Sequence, residues 1–219
     1  MNEQHSLGWF RARLGRITGS QIGRLMKKGR NSYFGEDAMS YIYQLAAERS
    51  MSRRIIDNDE LFAEYLEKVN YSTKAMQFGT EMEAEAREAY CFVKMVECNE
   101  VGLCQHFDVA DFASSPDGVV IEDGERVTIE IKCPVQATWM RYRSEIHDNA
   151  SLLKVKPEYF YQCMAHIMCL ASIRTDFIAY SPFQENPLHI VPIHPDYEVF
   201  DEMEERINKA NEKINELIK

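Results

Sequence analysis

Long apolar runs are missing from this 219-residue chain, so no membrane-spanning helix is expected. Paired cysteine motifs are missing too. The six cysteines, at 91, 98, 104, 133, 163 and 169, contain no CxxC, which leaves zinc and iron–sulfur sites without support. They read instead as small core residues in a reducing compartment. The opening residues Met1-Asn2-Glu3-Gln4-His5 lack the basic-then-apolar pattern of a secretory signal, so the expected location is the cytoplasm. Neither repeats nor low-complexity segments occur. What is present is a 45 % hydrophobic composition, enough for a sizeable core and against global disorder.

An excess of positive charge is also missing, since the formal net charge is −10. The distribution tells more than the sum. Residues 11–30 hold Arg11, Arg13, Arg16, Arg24, Lys27, Lys28 and Arg30, with no acid between them. From Asp196 onward, eight acids face four bases. A concentrated basic segment can contact phosphates while acidic surface elsewhere keeps the protein soluble. A solvated helix face is an equally good reading of that segment alone.

Hydrophobic spacing predicts a helix capped by Thr18 or Ser20 and running to about Lys28, with Ile22, Leu25 and Met26 on one face. Further helices are predicted over about 36–49, 57–68, 72–96 (capped by Ser72 or Thr73), 136–146, 157–171 and 196–217. Strands are predicted over 101–107, 118–121, 126–133, 176–180 and 188–193. The order predicts an α/β fold with a central mixed β-sheet flanked by α-helices.

The informative stretch is Ser114-Ser115-Pro116-Asp117-Gly118 through Thr128-Ile129-Glu130-Ile131-Lys132-Cys133-Pro134. Side chains alternate along a strand, so Val127, Ile129 and Ile131 share a core face while Thr128, Glu130 and Lys132 share the other. A tight turn at Asp123-Gly124 places Asp117 opposite Glu130, with Cβ atoms ~4.5–5.5 Å apart. Like charges opposed in this way call for a cation between them or for one raised pKa. Two carboxylates with the Ile131 carbonyl are hard oxygen donors suited to Mg²⁺ or Mn²⁺. Such a site can hydrolyse phosphodiesters, with Lys132 orienting water or offsetting charge on the phosphate. The plainer alternative is a surface ion pair between Glu130 and Lys132 beside a turn aspartate.

These residues resemble the PD-(D/E)xK nucleases and, through Ser115-Pro116-Asp117-Gly118 and Glu130-Ile131-Lys132-Cys133-Pro134, the lambda exonuclease and YqaJ viral recombinase family. Trp9 to Ser20 resembles its W-x-x-x-R-x-G-x-I-T-x-S block, Gly79 to Glu83 its G-x-x-x-E helix, and Tyr159 to Gln162 its Y-x-x-Q helix. The resemblance implies a restriction-endonuclease-like core in a single nuclease domain over 1–219: N-terminal helices 1–70, catalytic core 72–195 and C-terminal helix 196–219. It implies a 5′→3′ exonuclease on linear double-stranded DNA in a bacterial or phage-infected cell, making 3′ single strands for recombination. Mg²⁺ is the implied cofactor, with Mn²⁺ as substitute.

By the same resemblance, Glu83, Asp117, Glu130 and the Ile131 carbonyl surround the metal, Lys132 assists the attacking water, and Gln162 lies nearby. Arg13, Ser20 and Ser115 match positions that hold the 5′-phosphate, and Arg16 belongs to the same basic block. The family's further phosphate-binding arginine is replaced by Thr138, so Arg141 or Arg143 is the expected substitute. The implied partners are duplex DNA, a single-strand annealing recombinase and two further copies in a homotrimer. From the residues alone, Glu83 reads as a boundary glutamate beside Arg87, Ser20 as a helix cap, and Trp9 and His166 as packing residues. Two other functions remain open: an endonuclease or junction resolvase of the same fold, and a non-catalytic DNA-binding module.

Overall fold

The computed structural model describes residues 4–69 and 74–219. The chain opens with α1 (Leu7–Arg13), capped by Ser6, whose hydroxyl accepts the Trp9 N–H at 3.2 Å. Gly15 then turns the backbone at φ +70°, and a Cβ there would lie 2.7 Å from Arg49 Cγ, so both conformation and space demand glycine. Next come β1 (Ile17–Thr18), α2 (Ile22–Leu25), α3 (Glu36–Arg49), α4 (Arg53–Ile56), α5 (Asp59–Val69) and α6 (Lys74–Lys94). The helix expected to reach Lys28 shrinks to the four residues of α2. Thr18 is drawn into β1, and Gln21, without a side-chain cap, takes the N-cap position. Ile22, Leu25 and Met26 are nevertheless buried, as their spacing predicts. The caps expected at Ser72 or Thr73 lie outside the described residues.

The second half runs β2 (Cys104–Gln105), β3 (Phe112–Ser114), β4 (Gly118–Glu122), β5 (Glu125–Lys132), α7 (Gln136–Glu145), α8 (Asn149–Val155), α9 (Pro157–Leu170), β6 (Arg174–Tyr180), β7 (Leu188–Ile193) and α10 (Tyr197–Leu217). The strands form two sheets rather than the single one expected. The larger is mixed, in the order β4-β5-β6-β7, with β5 and β6 parallel at its centre. The smaller, β1-β3-β2, is built from strands of two and three residues, too short to show a period of two.

The hairpin turn is as the Asp-Gly pair predicts. Asp123 and Gly124 take φ +51° and +84°, the left-handed pair of a type I′ turn. The β4–β5 ladder runs from Glu122–Glu125 to Gly118–Ile129.

Helices cover both faces of the larger sheet. Ala86 and Tyr90 of α6 pack on Val127, Ile129, Ile131, Ile178 and Tyr180. On the other face, α9 brings Phe160, Cys163, Met164 and Ile167 against Phe177, Ala179 and Val191. The Thr128–Glu130–Lys132 face is therefore no outer surface: Thr128 and Glu130 are both 0 % exposed. Parallel central strands are covered on both sides, and the polar residues persist there because each has a hydrogen-bond partner, Glu130 in His166 of α9 and Thr128 in Thr175 of β6. Among the described residues, no helix is long and apolar enough to cross a membrane.

Candidate active site

Pro116 cannot donate to the ladder, and the described pairing stops at Gly118. One residue further out, Asp117 N–H donates to the Ile129 carbonyl at 3.0 Å, and the Asp117 carboxylate accepts the Ile131 N–H at 2.6 Å. The side chain thus satisfies a donor that a longer β4 would have taken, which fixes Asp117 beside Glu130. The expected register holds as far as the ladder extends. The opposed pair itself is made by this carboxylate-to-backbone bond, not by a further rung.

Glu130 has two partners. Its Oε1 pairs with Lys132 Nζ, and its Oε2 lies 2.6 Å from Nε2 of His166 on α9. Lys132 also sits over the Tyr159 ring, 4.9 Å from its centroid. Burial opposes ionisation of Glu130, but Lys132 and the His166 hydrogen bond outweigh it and hold the carboxyl below its usual range. Burial likewise disfavours the Lys132 ammonium, yet the Glu130 and Asp117 carboxylates raise it above the ordinary lysine value. At Asp117 the pull of Lys132 is outweighed. Burial first, then the Glu130 and Glu83 charges, push its carboxyl well up.

Glu83 faces the same cleft from α6 and pairs with Arg87 at 3.0 Å. Burial, and then Glu130 against the pull of Arg87, raises its carboxyl. Arg87 also donates to the Asp117 carbonyl at 2.9 Å and pairs with Glu100, so it clamps α6 to the loop before β4. A Cβ at Gly79, one turn before Glu83, would meet nothing within 4 Å, leaving that wall open.

The cleft has a volume of about 820 Å³, and its lining includes Glu83, Asp117, Glu130, Ile131, Lys132 and Gln162. Among the described residues, no three acidic, histidine or cysteine side chains are arranged to hold a metal as they stand. Each acid is turned to an internal partner. The donor set still fits a hard divalent ion. Three carboxylates share one cleft, and Asp117 and Glu83 are raised by burial first and then by neighbouring negative charge, which a cation would offset.

Arg13, Ser20 and Ser115 line the same cleft with Trp9, which joins them into a second wall. Arg13 donates to Ser20 Oγ at 3.0 Å and lies over the Trp9 ring at 4.2 Å. Trp9 is buried, yet its Nε1–H donates to Ser115 Oγ at 3.1 Å, so it joins Arg13 to Ser115 as well as filling the core. Ser20 is exposed and caps no helix. The phosphate-type groups here are side chains, not the start of a helix.

Two expected contacts are not in this cleft. Arg16 lines a neighbouring cleft instead, and it donates to the Gln105 side-chain oxygen at 3.0 Å once that amide is turned so that its oxygen faces the guanidinium. Arg141 lies on the solvent side of α7, because Trp139 and Tyr142 take the buried side, and it pairs with Glu145 at 3.1 Å. Arg143 stacks 5.3 Å from the Trp139 ring and does not line the cleft either. The basic segment is largely neutralised: Arg11 pairs with Asp59, Arg24 and Lys27 with Asp37, and Lys28 with Glu202. Sequence reasoning missed Gln4 and His5, which line the cleft, with Gln4 tied to the Val101 and Pro116 carbonyls at 2.9 Å. It read His166 as packing, although spacing did put it on the Gln162 face of α9.

The YqaJ-like viral recombinase domain model matches residues 8–176, which includes every residue lining the cleft except Gln4 and His5. No curated protein matches the chain. Among solved structures, the alkaline exonuclease LHK-Exo from Laribacter hongkongensis is similar at 27 % identity and TM-score 0.76, covering 97 % of this chain and 94 % of that one. A second structure of LHK-Exo, in complex with dAMP, matches equally. A phage-related exonuclease from Haemophilus somnus 129PT shares the fold, at 14 % identity, TM-score 0.64, and coverage of 93 % and 95 %. The restriction-endonuclease-like fold and the length of the match leave one assignment: the chain belongs to the YqaJ-like viral recombinase domain family and is a nuclease.

Proposed function

We propose that the protein is a Mg²⁺-dependent exonuclease that degrades one strand of linear duplex DNA from its 5′ end, leaving 3′ single strands for recombination. The observation that carries this reading is a single cleft lined by two unlike groups: Asp117, Glu130 and Lys132 from the β4–β5 hairpin, and Arg13, Ser20 and Ser115 joined through Trp9. A hydrolytic centre beside a separate phosphate holder suits a strand end better than an unbroken duplex.

Glu83, Asp117, Glu130 and the Ile131 carbonyl would hold the ion. A bound divalent cation supplies Lewis-acid polarisation of the scissile phosphate and a lower pKa for water. Lys132, drawn off Glu130, orients the attacking water and offsets charge developing on the phosphate. Gln162 lines the same cleft and would help position the strand. Arg13 is desolvated enough that burial lowers its pKa, and a phosphate dianion arriving beside it restores the lost stabilisation of its charge. LHK-Exo binds dAMP, a monophosphate of the kind an exonuclease releases, which supports the same reading. Mn²⁺ substitutes for Mg²⁺ on chemical grounds. A single-strand annealing protein is the expected user of the product strand. A homotrimer rests on family resemblance alone, and sedimentation tests it.

The deciding experiment is digestion of a linear duplex labelled separately at each end, with and without 5′-phosphate. The 5′ label should leave first, faster from phosphorylated ends, and closed circular duplex should stay intact. Undiminished activity in excess chelator, or cutting of closed circles, would overturn the proposal.

A further inference from the structure

His166 is 0 % exposed and both ring nitrogens are engaged, Nε2 with Glu130 Oε2 at 2.6 Å and Nδ1 with Ser114 Oγ at 2.7 Å. A carboxylate can only accept, so the ring proton facing it sits on Nε2. In the neutral ring Nδ1 is then an acceptor, and the Ser114 hydroxyl donates to it. Glu130 thereby sets the tautomer, and Ser114, whose hydroxyl can take either role, accommodates it and anchors the far side of the ring. Space for this arrangement is reserved by Gly19: a Cβ there would overlap Ser114 Oγ and come within 3.2 Å of Ala165 Cβ on α9. Three elements meet at the ring. Ser114 comes from the central strand of the small sheet, His166 from α9, and Glu130 from the centre of the large sheet.

We propose that Ser114 and His166 act as a positioning relay that pins one oxygen of Glu130 and leaves the other for the cleft. The inference rests on the proposed metal-dependent reading and deepens it. An unpinned Glu130 can rotate about its side-chain bonds or collapse fully onto Lys132, losing both the ion's ligand and the free ammonium. Outer partners of ligating carboxylates typically contribute ~10- to 100-fold in metal affinity or activity. His166 touches neither water nor phosphate in this scheme.

The test combines Mn²⁺ titration calorimetry, steady-state digestion and thermal unfolding on His166→Ala, His166→Gln and Ser114→Ala. The glutamine amide can donate to Glu130 where alanine cannot. Mn²⁺ affinity and kcat should each fall ~10- to 100-fold in His166→Ala, with KM for DNA within about twofold of wild type. His166→Gln should recover most of both, and Ser114→Ala should fall between. A residue that merely fills space would change the unfolding midpoint and leave Mn²⁺ affinity and the alanine–glutamine difference flat. Should His166→Ala not fold, equal Mn²⁺ affinity in wild type, His166→Gln and Ser114→Ala overturns the relay. A wild type that binds Mn²⁺ and cuts DNA while the folded variants match it sinks the relay alone. A wild type that does neither sinks the proposed function with it.

Discussion

The two walls of the cleft are built by different means. The sheet wall is held by backbone: Glu130 and Lys132 sit on a central strand, and Asp117 is tied to the Ile131 N–H. The N-terminal wall is held by side chains: Arg13 on Ser20, Trp9 on Ser115, Gln4 on two carbonyls. The first is a rigid frame with unfavourable charge inside it. The second is a lattice of single contacts, each replaceable. The proposed function thus puts the chemistry where the backbone leaves no slack, and substrate choice where one side chain can alter it.

Four substitutions sharpen that contrast. Lys132→Ala should cause the largest loss, about 10²- to 10³-fold in kcat with KM for DNA little changed, as read from initial rates of duplex digestion. Arg13→Ala should act on the other wall alone. Losing charge-assisted hydrogen bonds of ~1.5–3 kcal/mol predicts roughly a 10- to 100-fold rise in KM for 5′-phosphorylated ends. Ends carrying 5′-hydroxyl should hardly respond, and an equal effect on both would erase the distinction between the walls. Trp9→Phe keeps a ring under Arg13 but removes the donor to Ser115. It should lower stability in urea by ~0.5–1.5 kcal/mol and weaken the 5′-phosphate preference only severalfold.

The smallest effect concerns the basic segment behind the N-terminal wall. A hydrogen bond from Lys27, helped by Arg24, holds the Asp37 carboxyl below its usual range. The stability it contributes is present above the ordinary aspartate pKa and is lost as pH falls through the lowered folded value. The pair is partly exposed, so Asp37→Asn should cost well under ~1 kcal/mol at neutral pH and nothing in strong acid. Urea melts at both pH values measure this.

The same contrast explains what the sequence reveals. The sheet wall is encoded within sixteen consecutive residues, Asp117 to Lys132, where an Asp-Gly turn and strict alternation set register and facing. Its elements were legible, and so were α3, α9 and α10. The small sheet was not, because Ile17–Thr18 and Phe112–Ser114 pair over a long sequence separation with too few residues for periodicity. Burial of the Glu130 face was hidden because its polarity comes from hydrogen bonds to α9, which alternation alone reads as solvent. Arg16 and Arg141 failed for a related reason: counting cations does not reveal which acid each one meets. Gln4 and His5 carried no signal beyond proximity to the Trp9 block.

The pairing of Arg11, Arg24, Lys27 and Lys28 with acids from other elements has a consequence for how DNA is met. Cations already neutralised by the protein have little left to exchange with the counterion atmosphere of a duplex. Binding should then displace few ions, and affinity should decline only gently with added salt. On the proposed reading, such an enzyme would gain little by sliding along the flank of a duplex and would meet its substrate chiefly by collision with a terminus.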